Sequence, residues 1–356
     1  MHRFPVSTPR LAAAGLAAAA VAAVRLSPWP SALLIRAVFA RGARQVAGLM
    51  RPHAPATGIT EHRGLRYAPA SRGGGRLDLF VPRDAPGPAP LVVWIHGGAW
   101  LSGSRNDVEP YLRILASHGY AAAGVDYTIA PRGTYPQAVR ELTEALAFLQ
   151  DRAGELGLDP QRIVLAGDPA GAQLAAQLAV LATNPDYGRV TGLPPALAAA
   201  DLRGVILHCG VYDLAALAGL RGVLGWGFKT ALWAYTGNRD WSSTPAGAQM
   251  SVLDHVTARF PPALIAGGNG DSLTGSQSVP LAARLAALGT AVRTRFWPAG
   301  HSPALPHEYQ FHLNRPEARQ TLAETLAFLA EVCAVDIPAK SIRNKRDAGK
   351  TQTLKA

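Results

Sequence analysis

Cleavage of an acyl bond through a covalent intermediate needs a nucleophile, a base to activate it, and N–H donors for the oxyanion that develops. One stretch of the chain has the form that supplies the first. Leu165-Ala166-Gly167-Asp168-Pro169-Ala170-Gly171-Ala172 runs from an apolar strand through a glycine-flanked turn into a helix of small residues. That is the frame in which a nucleophilic serine sits as Gly-X-Ser-X-Gly. The central residue is Pro169, which has no nucleophile. A second stretch, His96-Gly97-Gly98-Ala99-Trp100, follows directly on the apolar run Leu91–Ile95. Its glycines let the backbone turn with N–H groups facing a ligand, as an oxyanion hole requires. Other oxygen nucleophiles lie nearby. Asp168 is one position early, where its side chain is expected to point elsewhere, and Ser102 and Ser104 read as turn or capping residues.

The elements that must position these groups alternate. Short strands are predicted at Leu65–Ala68 and Arg76–Val81, and further strands at Leu91–Ile95, Ala121–Asp126, Arg162–Ala166, Gly204–Cys209, Ala263–Ala266 and Ala291–Trp297. Helical patterns fall between them at Val108–His118, Tyr135–Ala153, Ala170–Leu181, Ser276–Ala287 and Pro316–Val332. The apolar runs are continuous rather than alternating, which fits strands buried on both faces of a parallel sheet. The expectation is one doubly wound α/β domain over residues 63–336, with active groups at the C-terminal strand ends. The longest interval between core strands, Gly210 to Pro262, carries Leu214, Leu217, Leu224, Trp226, Phe228 and Trp233. Residues 211–250 within it read as a helical insertion over the sheet, lining an apolar pocket.

His-Gly-Gly about 70 residues before a strand–Gly-Asp-X-Ala-Gly–helix turn, together with Asp126-Tyr127-Thr128-Ile129-Ala130-Pro131 and Gly210-Val211-Tyr212-Asp213-Leu214, resembles the α/β-hydrolase carboxylesterases of the hormone-sensitive-lipase-like type. The resemblance covers about Arg63 to Val335. It implies an α/β-hydrolase fold: a mostly parallel eight-stranded sheet, helices on both faces, and an insertion before the next-to-last strand. It implies a serine-esterase mechanism on small or medium apolar esters. Gly97, Gly98 and Ala99 would form the oxyanion loop, joined by the N–H of Ala170. Asp271 would be the acid behind the imidazole, and His307 or the alternative His301 the base. Pro169 would stand at the nucleophile position. Proline fixes φ near −65°, so it removes the hydroxyl and also the backbone geometry usual at that turn, which is expected to relax and shift the Ala170 N–H.

Charge excludes one class of partner. The chain is formally +11, but the first 51 residues hold seven Arg and no acid, and residues 337–356 contribute +5. The body between is near neutral, unlike a nucleic-acid-binding surface. Leu11–Val24 is an apolar run bounded by Arg10 and Arg25; at 14 residues it matches a signal-peptide core better than a bilayer span. Residues 1–30 are therefore expected to be a signal peptide, with Ala20-Val21-Ala22 a cleavage triplet, or a membrane anchor, placing the protein at the cell envelope, anchored or exported; without either function of that segment it is cytoplasmic. Residues 31–62 form a basic amphipathic segment able to lie on an anionic membrane or to pack over the body. The Lys-rich residues 337–356 read as a disordered tail. Cys209 and Cys333 form no disulfide framework or metal-binding spacing in sequence. Gly73-Gly74-Gly75 reads as a turn, not a phosphate loop, because no Gly-Lys-Ser/Thr follows. No cofactor or metal is expected.

Three readings follow: an ester hydrolase that has lost its nucleophile, a non-catalytic binding protein of the same fold, or a hydrolase that activates water with Asp271 and a histidine. The intact surroundings of Pro169 favour the first.

Overall fold

The computed structural model describes residues 21–68 and 75–334. Most of the apolar run Leu11–Val24, on which the signal-peptide expectation rests, lies outside them, as do Gly73, Gly74 and the basic residues 337–356. Among the described residues no helix is long and apolar enough to cross a membrane.

An eight-stranded sheet forms the centre, comprising β1 (Ile59–Arg66), β2 (Arg76–Pro82), β3 (Ala89–Ile95), β4 (Ala121–Val125), β5 (Leu158–Gly167), β6 (Leu202–His208), β7 (Ala263–Gly267) and β8 (Val292–Phe296). Its order is β1-β2-β4-β3-β5-β6-β7-β8. Only β2 runs against its neighbours; from β4 across to β8 every pairing is parallel. The first strand begins earlier than the sequence predicts, at Ile59 rather than Leu65. It is an edge strand with an exposed face and a bulge between His62 and Leu65 where Gly64 takes φ +63°, so it lacks the apolar run that marks the interior strands.

Alternate residues of the buried strands feed two separate cores. Leu91, Val93, Ile95, Leu165 and Leu207 face α3 (Gln137–Asp151) and α4 (Pro169–Thr183). Val92, Trp94, Val164 and Ile206 face α2 (Glu109–Ser117) and α7 (Pro316–Cys333). Helices thus cover both faces, as right-handed parallel crossovers require. Helix α4 is nearly all Ala, Leu, Gln and Gly, and it packs tightly enough that a Cβ on Gly171 would overlap the Ile95 carbonyl oxygen. That approach seats the turn after β5 directly against the loop after β3.

The amphipathic segment is α1 (Trp29–Met50), and it packs on the body. Ala32 and Ile35 join the core, and the Arg36 guanidinium donates to the carbonyls of Leu101 and Ala130, both at 2.7 Å. Within the long insertion, α5 (Gly222–Thr236) lies beside α1. The last helix before β8 is α6 (Val279–Ala287).

Replacing Arg36 by Met removes two charge-assisted bonds that tie α1 to the loops around the site. Stability should fall by about 2 kcal/mol in chemical denaturation, and trypsin should cut faster at Arg41 and Arg44. Unchanged cleavage would mean that α1 is held by its apolar face alone.

Candidate active site

The sequence-predicted groups meet at the C-terminal ends of β3, β5, β7 and β8, around a cavity of about 780 Å³. Its lining includes Gly97, Gly98, Ala99, Pro169, Ala170, Asp271 and His307.

After β3, Gly98, Ala99 and Trp100 take φ of +98°, +53° and +57° in succession. A left-handed run of this kind turns backbone N–H groups to one side. The N–H groups of Gly98, Ala99 and Ala170 meet no acceptor among the described residues. Gly97 differs from the sequence expectation: its N–H donates to Asp168 Oδ2 at 2.7 Å and is not free for an oxyanion. Asp168 Oδ1 accepts from Trp94 Nε1 at 2.8 Å. Both carboxyl oxygens are therefore engaged, and the residue is 5% exposed, so Asp168 is a tie between two loops rather than a poised nucleophile. Burial, and next the negative charge of Glu308, push its pKa up to about 8, against the pull of the two donated bonds.

Pro169 is the first residue of α4. Asp168 before it is extended, at φ −115° and ψ 165°, and Pro169 is absent from the positive-φ residues. Proline is well suited to the first helical position, where its missing N–H would have had no partner. The turn is a plain helix start, and Ala170 lines the same cavity as Gly98 and Ala99.

The loop after β7 presents Asp271, with Leu273 N donating to Oδ1 at 2.9 Å and His307 Nδ1 2.8 Å from Oδ2. The histidine loop is clamped onto this one. Gly270 N donates to Leu305 O, Asn269 Oδ1 accepts from Leu305 N, and Asn269 Nδ2 donates to His301 O. A Cβ on Gly268 would overlap Leu305 O, so the closeness depends on glycine there. His301, the alternative base, is not brought to Asp271: its Nε2 lies 3.1 Å from Glu317 on α7 and its ring packs on Trp297.

Burial raises the Asp271 carboxyl, but the bond to His307 and its charge outweigh this and hold it below the usual carboxylate range. For His307 burial acts downward, and the contacts with Asp271 and Cys209 outweigh it to raise the imidazole well above its ordinary value. The His307 side chain is 41% exposed, so water tempers that rise. Two neighbours gave no signal in sequence. Glu308, at φ +59°, brings a second carboxyl into the cavity, with its proton affinity raised by burial. Cys209, which the sequence places in no disulfide framework or metal-binding spacing, follows β6 directly at φ +53°, and its sulfur lies within 4.8 Å of ligand atoms of both Asp271 and His307.

The sign of the His307 shift is testable. Its protonated form is favoured in the fold, so the linked stability is full below the ordinary histidine pKa of about 6.5 and is lost as pH rises through the higher folded value. In an NMR titration His307 should have a midpoint above about 6.5, and Asp271→Asn should bring it down. A midpoint unmoved by that substitution would show that the pair does not interact in solution.

The BD-FAE family model matches residues 77–285. Curated relatives include a probable isoprenylcysteine alpha-carbonyl methylesterase of Oryza sativa subsp. japonica, 39% identical over 28% of this chain and 24% of its own length. Esterase LipQ of Mycobacterium tuberculosis is 32% identical over 48% of this chain and 41% of its own. The matched stretches thus span less than half of these relatives. Among solved structures, Esterase B from Lactobacillus Rhamnosis superposes with TM-score 0.73 at 24% identity, covering 86% of this chain and 96% of that one. Esterase LipW from Mycobacterium marinum does so with TM-score 0.66 at 26% identity, covering 85% and 90%. A sheet of this order and a family match over more than half of the chain agree: the chain has the α/β-hydrolase fold and belongs to the BD-FAE family.

Proposed function

We propose that this chain is a carboxylic ester hydrolase of the serine type whose nucleophile position is occupied by Pro169, leaving the covalent route closed and the rest of the machinery in place. The observation that carries the reading is the 2.8 Å His307–Asp271 contact at the rim of a cavity that also holds Pro169 and three unbonded N–H groups. In a chain with a serine at 169, His307 would take its proton, Asp271 would orient and stabilise the imidazolium, and Gly98, Ala99 and Ala170 would bind the tetrahedral oxyanion. The substrate class is a small or medium apolar ester. The cavity has the size usual for small-molecule sites, and apolar side chains of α1 and α5 line much of it.

The mouth of the cavity favours delivery from a membrane surface. Leu34, Val38 and Phe39 of α1 and Val223, Leu224 and Trp226 of α5 both line the cavity and stand exposed. Arg41 and Arg44 lie on the same helix α1. Apolar residues set among arginines are the composition of a helix that lies on anionic lipid. The reading puts the protein at the cell envelope, and the apolar composition of Leu11–Val24 between Arg10 and Arg25 supports it.

Two measurements test these statements. The unmodified chain should show negligible turnover of short-chain p-nitrophenyl esters, and Pro169→Ser should raise kcat/KM by at least ~10³-fold in a manner abolished by His307→Ala. Strong turnover by the unmodified chain, lost in Asp271→Ala, would favour water activation, and a folded but inactive Pro169→Ser chain would favour a binding protein. Separately, residues 21–334 should sediment with vesicles containing phosphatidylserine and less with neutral ones, and Val38→Asp with Trp226→Asp should abolish this. Equal sedimentation of the double variant would remove the membrane reading.

A further inference from the structure

The thiol of Cys209 has no place in ester hydrolysis, yet it stands against the acid–base pair. It directly follows β6, in a left-handed backbone conformation that non-glycine residues rarely adopt, the kind of strain that collects at functional positions. The side chain is fully buried and does not line the cavity, so no substrate reaches it as a nucleophile. Nor is it half of a disulfide, since Cys209 and Cys333 are both free. What the fold does provide is one sulfur, one imidazole and one carboxylate, with donor atoms all within 4.8 Å of one another.

We propose that Cys209, Asp271 and His307 form a binding site for a soft divalent cation of the Zn²⁺ class. The donor types are those zinc takes, at about 2.3 Å from sulfur and about 2.0–2.2 Å from nitrogen and oxygen. Tetrahedral bonds of those lengths separate the donors by about 3.3–3.6 Å. Shifts of about an ångström in three side chains therefore supply three of the four tetrahedral donors. A hard cation such as Mg²⁺ or Ca²⁺ is disfavoured by the sulfur and by the single carboxylate. Gln310, buried beside the same sulfur with its amide atoms 3.2–3.4 Å away, offers an amide oxygen as a further donor. On binding, the thiol releases its proton to solvent, His307 gives up its Nδ1 proton to solvent from the imidazolium and keeps the one on Nε2, and the Nδ1–carboxylate hydrogen bond is exchanged for two metal bonds. The ion therefore takes His307 and Asp271 out of acid–base work. The site is a lock on the pair, on the side away from substrate, and it stands on the positions of these three side chains whether or not the protein hydrolyses esters.

Cobalt(II) titrated into the untagged full chain is the direct probe, because a thiolate ligand gives it an intense near-ultraviolet charge-transfer band. One cobalt per chain with that band, displaced by one equivalent of zinc, is the expected result. Cys209→Ser should lose the band and weaken zinc binding by at least ~10-fold in competition with a chromophoric chelator, while Cys333→Ser should keep both. His307→Ala, at a partly exposed position, gives a second variant should Cys209→Ser fold poorly, and it should weaken zinc to a similar degree. Absence of the band at millimolar cobalt, or zinc affinity unchanged in both variants, would overturn the proposal. The readout is optical, so either result leaves the ester-hydrolase reading to be judged on turnover.

Discussion

The carboxyl of Asp168 joins the two loops on which the site is built. One oxygen accepts from the indole of Trp94 within β3, the other from the N–H of Gly97 just beyond it, while its own backbone leads into α4. A buried carboxyl is costly unless both oxygens are bonded, and here both are. This tie, with the glycine-only approach of α4 to β3, fixes Gly98 and Ala99 relative to Ala170. The third part, the Asp271–His307 pair, is fixed independently by Asn269 and Leu305. The cavity is where these two clamped units face each other.

This construction explains how a proline sits at the centre of such a turn without unravelling it. The usual strained conformation is needed to project a side chain, whereas the fold itself needs only that a helix begin there. Pro169 satisfies the second requirement at the first helical position, and the tie from Asp168 lies one residue upstream, untouched. On the proposed reading the change is chemical rather than architectural, since the donors on either side line one cavity wall.

How much was legible in sequence depended on range. The buried parallel strands announce themselves as apolar runs, and the edge strand β1 does not, because its alternating exposure dilutes the signal. Asp271 and the pairing of loops followed from motif position. The choice of His307 over His301 is decided in the fold by the Asn269–Leu305 clamp, a contact between loops more than 30 residues apart. Glu308 and Cys209 carried no local mark at all. Their importance comes from left-handed backbone angles and from neighbours brought in by the sheet, neither of which is written in spacing. The amphipathic pattern of α1 was readable, but not that one helix would both join the core through Ala32 and Ile35 and line the cavity through Val38 and Phe39. The large net charge had its meaning only once it was located at the termini.

The central claim is that position 169 is the place from which a nucleophile would act with His307. Covalent labelling by an alkyl fluorophosphonate, read by intact mass and peptide mapping, tests this most directly. In the Pro169→Ser chain a single adduct on residue 169, dependent on His307, is the predicted result, with no adduct on the unmodified chain. An adduct on the unmodified chain at another serine such as Ser102, or a folded Pro169→Ser chain that takes no label, would contradict it.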